Sequence, residues 1–161
     1  MLIRPATSAD AAPIAEIYAP IVRETAISFE EEPPDAAEMA RRIDEVTATH
    51  PWLVADDGRD IAGYAYATAL RSRAAYRRST ECTVYVHPEY RGRGIGARLY
   101  QSLFERLVAD GFHAVFAGIA LPNEASIALH RACRFEPVGI YREVGFKFGR
   151  WIDTSWWQRR L

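Results

Sequence analysis

Lysine is almost missing from this chain. Lys147 is the only one in 161 residues, so nineteen of the twenty basic side chains are arginine. A Walker-type phosphate loop needs Gly-Lys followed by Ser or Thr, and is therefore excluded. An excess of either charge is missing too. The formal net charge is −1, which leaves no global basic field for nucleic acid and no polybasic segment for a membrane surface. Two cysteines, Cys82 and Cys133, have neither metal-ligand spacing nor a disulfide pattern, so we expect buried or half-buried thiols and no metal. The longest apolar run, Ala114 to Leu121, falls far short of the roughly 20 residues that cross a bilayer. Met-Leu-Ile-Arg-Pro at the N-terminus lacks the charged-then-apolar order of a secretory signal. Repeats and low-complexity tracts are absent. These gaps together lead us to expect a soluble, cytoplasmic protein without nucleic-acid or membrane partners.

What is present suits one domain over residues 1–161, because 49% hydrophobic and 12% aromatic residues supply a continuous core. Leu2-Ile3-Arg4 reads as a short strand. Thr7 to Asp10 then reads as a helix start, followed by Ile14, Ile17, Tyr18, Ile21 and Val22 at helical spacing. Thr25 to Glu30 reads as an extended segment that ends at Pro33-Pro34. Asp35 with Glu38 opens a second helix whose stripe is Ala36, Met39, Ile43 and Val46. Pro51 to Ala55 and Ile61 to Leu70 form a hairpin around Asp56 to Arg59, and Arg71 to Arg78 is a basic connection. A β-rich run from Cys82 to Val86 follows. After it, Ile95, Leu99, Leu103 and Leu107, with Phe104 and Val108 alongside, give a helix that stops at Gly111. Phe112 to Ile119 reads as a buried strand, Asn123 to Cys133 as a short helix, and Val138 to Phe146 and Trp151 to Trp157 as strands. Trp151, Trp156 and Trp157 read as core or interface aromatics. The order predicts a mixed α/β fold, a mostly antiparallel sheet flanked by helices.

The organising stretch is Arg91-Gly92-Arg93-Gly94-Ile95-Gly96, between a strand and a helix. Glycines take strained dihedrals and bring backbone N–H groups against a phosphate, and the helix N-terminus adds its dipole. Two arginines offer charge to the same anion. A dinucleotide fingerprint needs Gly-x-Gly-x-x-Gly and a later carboxylate. Here the spacing is Gly92-x-Gly94-x-Gly96, and the next strand ends Phe116-Ala117-Gly118. Arg91, Gly94 and Gly96 instead meet an Arg/Gln-x-x-Gly-x-Gly/Ala pattern, which resembles the pyrophosphate loop of the GNAT superfamily of acyl-CoA-dependent N-acetyltransferases.

Further segments resemble the phosphinothricin and methionine sulfoximine N-acetyltransferase group of that superfamily. They are Ala26 to Glu30, Glu38-Met39-x-x-Arg42-Ile43, Glu81-x-Thr83-Val84-Tyr85-Val86, Gly118 to Asn123, Leu129-His130, and Lys147-Phe148-Gly149-Arg150-Trp151-x-Asp153. The resemblance implies a GNAT acyl-CoA N-acyltransferase fold and acetyl-CoA as the acetyl donor. It implies that Val84, Tyr85 and Val86 bind the pantetheine arm by strand-like bonds and that Arg91, Gly92, Arg93, Gly94, Ile95, Gly96 and Ala97 hold the pyrophosphate. Asn123 is implied at the thioester or pantetheine end, and can be a plain helix cap at the same time. His130 stands where much of the superfamily has a tyrosine acid, and Arg134 where a glycine is common.

Acetyl transfer to an amine needs a base, a polarised thioester carbonyl and a released thiolate. Glu81 is the candidate base, grouped by alternation with Thr83 and Tyr85, the competing reading being a salt bridge. A backbone N–H near Val84 to Val86 is the candidate for polarising the carbonyl. His130 is open between acid, base, orienter and satisfied core residue. The resemblance implies a small amino-acid-like amine as acceptor. Arg71 and Arg73 would fork its carboxylate, and Phe29, Ser72, Tyr76, Cys82 and Thr83 would line the pocket with Glu81. The resemblance and the aromatic tail favour a homodimer, and the group's role is detoxification. Alternatives are a transferase for another primary amine and a non-catalytic acyl-CoA-binding regulatory module.

Overall fold

The computed structural model describes residues 1–161. Its strands are β1 (Leu2–Pro5), β2 (Trp52–Asp56), β3 (Ile61–Ala69), β4 (Ser79–Val86), β5 (Ala114–Ala120), β6 (Glu136–Lys147) and β7 (Arg150–Arg160). The helices are α1 (Ala11–Glu24), α2 (Ala36–Thr47), α3 (Ile95–Ala109) and α4 (Glu124–Ala132). All strands join one sheet in the order β1-β2-β3-β4-β5-β7-β6. Every pairing is antiparallel except that of β4 with β5, so the fold is mixed α/β as the sequence predicts.

Alternation along the central strands gives each face of the sheet its own core. Ala65 and Ala67 of β3 with Val115 and Ala117 of β5 lie under α3, which sends down Leu99, Leu103 and Leu107, all fully buried. Tyr64 lies on the other face with Val54, under Ile14, Ile17 and Ile21 of α1 and Ile43 of α2. Cutting any of the three α3 leucines to alanine removes about 2–5 kcal/mol. Asp35 caps α2 by accepting the Glu38 N–H at 2.8 Å.

Some expectations change. Val108 is exposed, because it sits about 100° around the helix from Leu107 and so leaves the buried stripe. Ala36 is exposed at the first position of α2. The segment Thr25 to Glu30 is not extended throughout: it bends at Ala26, Ile27 and Ser28 and joins no ladder of the sheet. Trp157 is buried and Trp156 half-buried. Trp151, at the tip of the β6–β7 hairpin beyond the helices, is exposed and packs on Phe146 with ring centroids 5.0 Å apart. Cys82 and Cys133 are buried free thiols.

One feature of the topology positions the site. β4 and β5 pair only from Ser79↔Ala114 to Glu81↔Phe116. Beyond that point β4 stays with β3 as far as Val86↔Gly63, and β5 stays with β7 as far as Ala120↔Thr154. The two halves of the sheet therefore part, and the edges of β4 and β5 that face each other have no ladder partner.

Candidate active site

The gap between the parted strands opens into three adjoining cavities. Thr83, Tyr85, Gly118 and Ala120 run between them, with Glu81 at the last paired position.

The cavity nearest α3 holds about 330 Å³ and is lined by Val84, Tyr85 and Val86 of β4, by Arg91, Gly92, Gly94, Ile95, Gly96 and Ala97, and by Asn123. Gly92 and Gly94 have φ of 74° and 73°, the left-handed region that only glycine enters cheaply, and Gly94 is the N-cap of α3. Gly96 answers a different need. A Cβ there would stand 3.2 Å from Leu129 Cδ2, so the bare backbone lets α4 close against α3. An acyl-CoA fits this geometry: the β4 edge is free to pair with an extended amide chain, and the helix N-terminus would hold its phosphates. Arg91 lines the cavity but Arg93 does not. The Arg93 guanidinium lies over the Tyr90 ring, 5.2 Å from its centroid, so the expected pair of arginines is reduced to one.

Asn123 accepts the Ser126 N–H at 3.1 Å, which makes it the cap of α4 as well as a lining residue. His130, about two turns beyond this cap, is 3% exposed. Its Nδ1 lies 2.7 Å from the Ser126 carbonyl oxygen and its Nε2 3.0 Å from Tyr100 Oη. A carbonyl only accepts, so Nδ1 carries the proton and Nε2 accepts the Tyr100 hydroxyl. Burial pushes the imidazole pKa down, against the pull of the Ser126 carbonyl, and favours this neutral tautomer. The ring forms part of a small cavity of about 70 Å³ that shares lining residues with the other two.

The third cavity, about 400 Å³, lies on the α1 face. Phe29, Glu81 and Thr83 line it, together with Ser28, Tyr141, Val144 and Thr154, which the sequence does not mark for a site, and Trp156, expected only as a core or interface aromatic. Glu81 is its only charged lining residue. Burial raises the Glu81 carboxyl pKa, and the positive charge of Arg71 partly opposes this. Thr154 Oγ1 and Trp156 Nε1 are buried without a hydrogen-bond partner. β6 bulges between Tyr141 and Gly145, where Glu143 has a φ of 50° and its N–H donates to Asp153 at 2.7 Å, and the bulge presents Val144 to the cavity.

The remaining expected acceptor residues are not brought together. Arg71, Ser72, Arg73 and Tyr76 are exposed on a connection with a single helical turn, and none lines the cavity. Arg71 reaches Glu81 through its field alone, and neither arginine makes an ion pair. Cys82 faces the α3 core, because period-two alternation puts it on the face opposite Glu81 and Thr83, and burial pushes its thiol up to about 12. Signals for the missed residues were weak. Thr154 and Trp156 share one face of β7 by alternation, but nothing local ties them to Phe29 or Glu81.

Residues 3–156 match the family model of the acetyltransferase (GNAT) domain. A phosphinothricin N-acetyltransferase from Streptomyces coelicolor is 43% identical over 99% of this chain and 95% of its own length. An L-methionine sulfoximine/L-methionine sulfone acetyltransferase from Pseudomonas paraeruginosa is 39% identical over 99% and 94%. Among solved structures, a GNAT superfamily phosphinothricin acetyltransferase from Sinorhizobium meliloti in complex with AcCoA superposes with a TM-score of 0.94 at 45% identity, covering 99% of this chain and 88% of that one. With the parted β4 and β5, the glycine-built mouth of α3 and a family match along almost the whole chain, the protein belongs to the GNAT family of acetyltransferases.

Proposed function

We propose that this protein transfers the acetyl group of acetyl-CoA to the amino group of a small amino-acid-like acceptor of the phosphinothricin, methionine sulfoximine or methionine sulfone type. Residues 1–161 act as one catalytic domain. The observation that carries this reading is the position of Glu81, where the strands part, facing a cavity that adjoins the cofactor side.

The Glu81 carboxylate takes a proton from the acceptor's ammonium group, directly or through a water. The freed amine forms its bond to the thioester carbon while the carbon–sulfur bond breaks. A backbone N–H on the unpaired edge of Val84 to Val86 stabilises charge on the carbonyl oxygen. The nitrogen gives up a second proton and the leaving thiolate takes one, so the protons balance. His130 acts as an orienter, since both ring nitrogens are engaged and the ring is neutral. Arg71 acts on this chemistry only through its charge, which opposes the effect of burial on the Glu81 carboxyl.

A polyamine or aminoglycoside would need several carboxylates, and the acceptor cavity offers only Glu81, so an amino-acid-like acceptor is the better fit. The same residue argues against a purely regulatory acyl-CoA-binding module. The setting we propose is the cytoplasm, with a role in detoxification; no helix is long and apolar enough to cross a membrane. We further propose a homodimer through β6, an edge strand that exposes Val138, Ile140, Val144 and Phe146.

Thiol release from acetyl-CoA tests the reading, with phosphinothricin, methionine sulfoximine, methionine sulfone, ordinary amino acids and a polyamine as acceptors. The methionine-like compounds are expected to give release, and Glu81→Gln to lower kcat by about 10²–10⁴-fold. Release with the polyamine alone would reject the acceptor class. Acetyl-CoA binding without release for any acceptor would favour the regulatory module.

A further inference from the structure

Only one lysine is present, and it is buried. Lys147, 5% exposed near the end of β6, donates from Nζ to the carbonyl oxygens of Val22 at 2.7 Å, Thr25 at 2.8 Å and Ser28 at 2.8 Å. The ammonium group has three N–H donors and all three are used on backbone carbonyls. Val22 belongs to the last turn of α1, whose carbonyls have no partner within the helix, and a cation there is also favoured by the helix dipole. Thr25 and Ser28 belong to the bends that lead to Phe29. A guanidinium is a planar fork and cannot direct three N–H groups to three carbonyls around a tetrahedral centre.

Two residues earlier, on the same face of β6, Gly145 meets the same segment. A Cβ built on Gly145 would stand 2.4, 2.5 and 2.9 Å from Cζ, Cε2 and Cε1 of Phe29. The ring therefore rests directly on the β6 backbone, and no other residue at position 145 leaves it there. Phe29 also lines the acceptor cavity. A displaced ring leaves the strand, and the wall of that cavity changes with it.

We propose that Gly145 and Lys147 form a two-point seat on β6 that fixes the Thr25–Phe29 segment as a wall of the acceptor cavity, with Gly145 setting the length of acceptor that fits and Lys147 acting as a positioning residue. The proposal rests on the acetyl-transfer reading for its acceptor, but the seat itself does not. Ile27 of the segment also lines the cofactor cavity, but Gly145 and Phe29 do not, so for Gly145→Ala the Michaelis constant for acetyl-CoA separates this role from general damage.

Two measurements test it. In Gly145→Ala the ratio of kcat/KM for methionine sulfone to that for S-methylcysteine sulfone, one methylene shorter, is expected to fall about tenfold or more while the KM for acetyl-CoA stays within about twofold. Gly145→Ala combined with Phe29→Leu is expected to return the ratio toward the wild-type value. A ratio unchanged in the single variant, or one that the second substitution does not restore, overturns the specificity role. Amide hydrogen exchange over the last turn of α1 and on to Glu30, where the Ile27 and Glu30 N–H groups donate to the Thr25 and Ser28 hydroxyls, tests the seat without any acceptor. Lys147→Met, and equally Lys147→Arg, is expected to speed exchange there by about tenfold or more with α3 unchanged. Unchanged exchange in Lys147→Met, or full protection in Lys147→Arg, overturns the tripod. If no acceptor in the panel is turned over, the acetyl-transfer reading fails while the exchange result still decides the seat.

Discussion

The two halves of the trough are built in opposite ways. Its cofactor side comes mostly from one continuous stretch, Val84 to Ala97, completed by the start of α4 with its cap Asn123 and by Ile21 and Ile27. Its acceptor side takes Ser28 and Phe29 from the bends after α1, Glu81 and Thr83 from β4, Gly118 and Ala120 from β5, Val144 from a bulge in β6 and Thr154 from β7. The difference follows from what each side recognises. Phosphates and a pantetheine amide chain are the same in every acyl-CoA, and backbone N–H groups held by glycines suffice for them. An acceptor must be told apart from other amines, which requires side chains from several directions, each placed by tertiary packing.

The sharpest way to break the comparison is to damage one side and look for an effect on the other. Gly94→Val forces a β-branched residue into the left-handed region that begins α3. Strain of this kind costs about 1–2 kcal/mol, and if it appears as a lost cradle the KM for acetyl-CoA rises about 5–30-fold. The KM for the acceptor is expected to stay within about twofold. Initial rates with both substrates varied give the two constants separately, and equal rises in both would mean that the sides are not independent.

A smaller effect is expected at His130, which sits between the two sides. Tyr100→Phe removes the hydroxyl that Nε2 accepts and leaves a buried acceptor without a partner. Such a loss costs about 1–3 kcal/mol, or about 3–10 °C in Tm for a domain of this size. If His130 only orients α4, kcat changes by less than about threefold, because no proton of the reaction passes through it. A large fall in kcat with Tm unchanged would place the Tyr100–His130 pair on a proton route instead.

The same contrast governs how much was legible in the sequence. Glycine spacing marks the cofactor side because its residues are neighbours along the chain, and the stripe of α3 is readable because Ile95, Leu99, Leu103 and Leu107 share one face by periodicity alone. Alternation was enough to group Glu81 with Thr83 and Tyr85, and it also separates Cys82 from them. By contrast, Lys147 meets Val22 across 125 positions, and no local pattern links Gly145 to the ring of Phe29. Arg71 and Arg73 follow closely on the end of β3 in sequence. Their exposure shows that nearness along the chain does not carry a side chain over the rim of a cavity.

Arg71 supplies the smallest and most specific test. Burial raises the Glu81 pKa and the charge of Arg71 lowers it, so Arg71→Ala removes the opposing influence and the pKa rises further. A base must be ionised to accept a proton, hence the acid limb of kcat/KM moves to higher pH in Arg71→Ala. Stability carries the opposite sign. A carboxyl whose pKa is raised on folding contributes stability below its unfolded pKa, and that contribution is lost as pH rises through the folded value. Glu81→Gln is neutral at every pH, so its Tm is expected to exceed that of the wild type near pH 7, with the difference shrinking as pH falls past the folded pKa. Thermal melts at pH 5 and 7 check the second expectation, and a pH–rate profile the first. A limb that moves to lower pH in Arg71→Ala would mean that the field at Glu81 is set from the acceptor side and not from the exposed connection before β4.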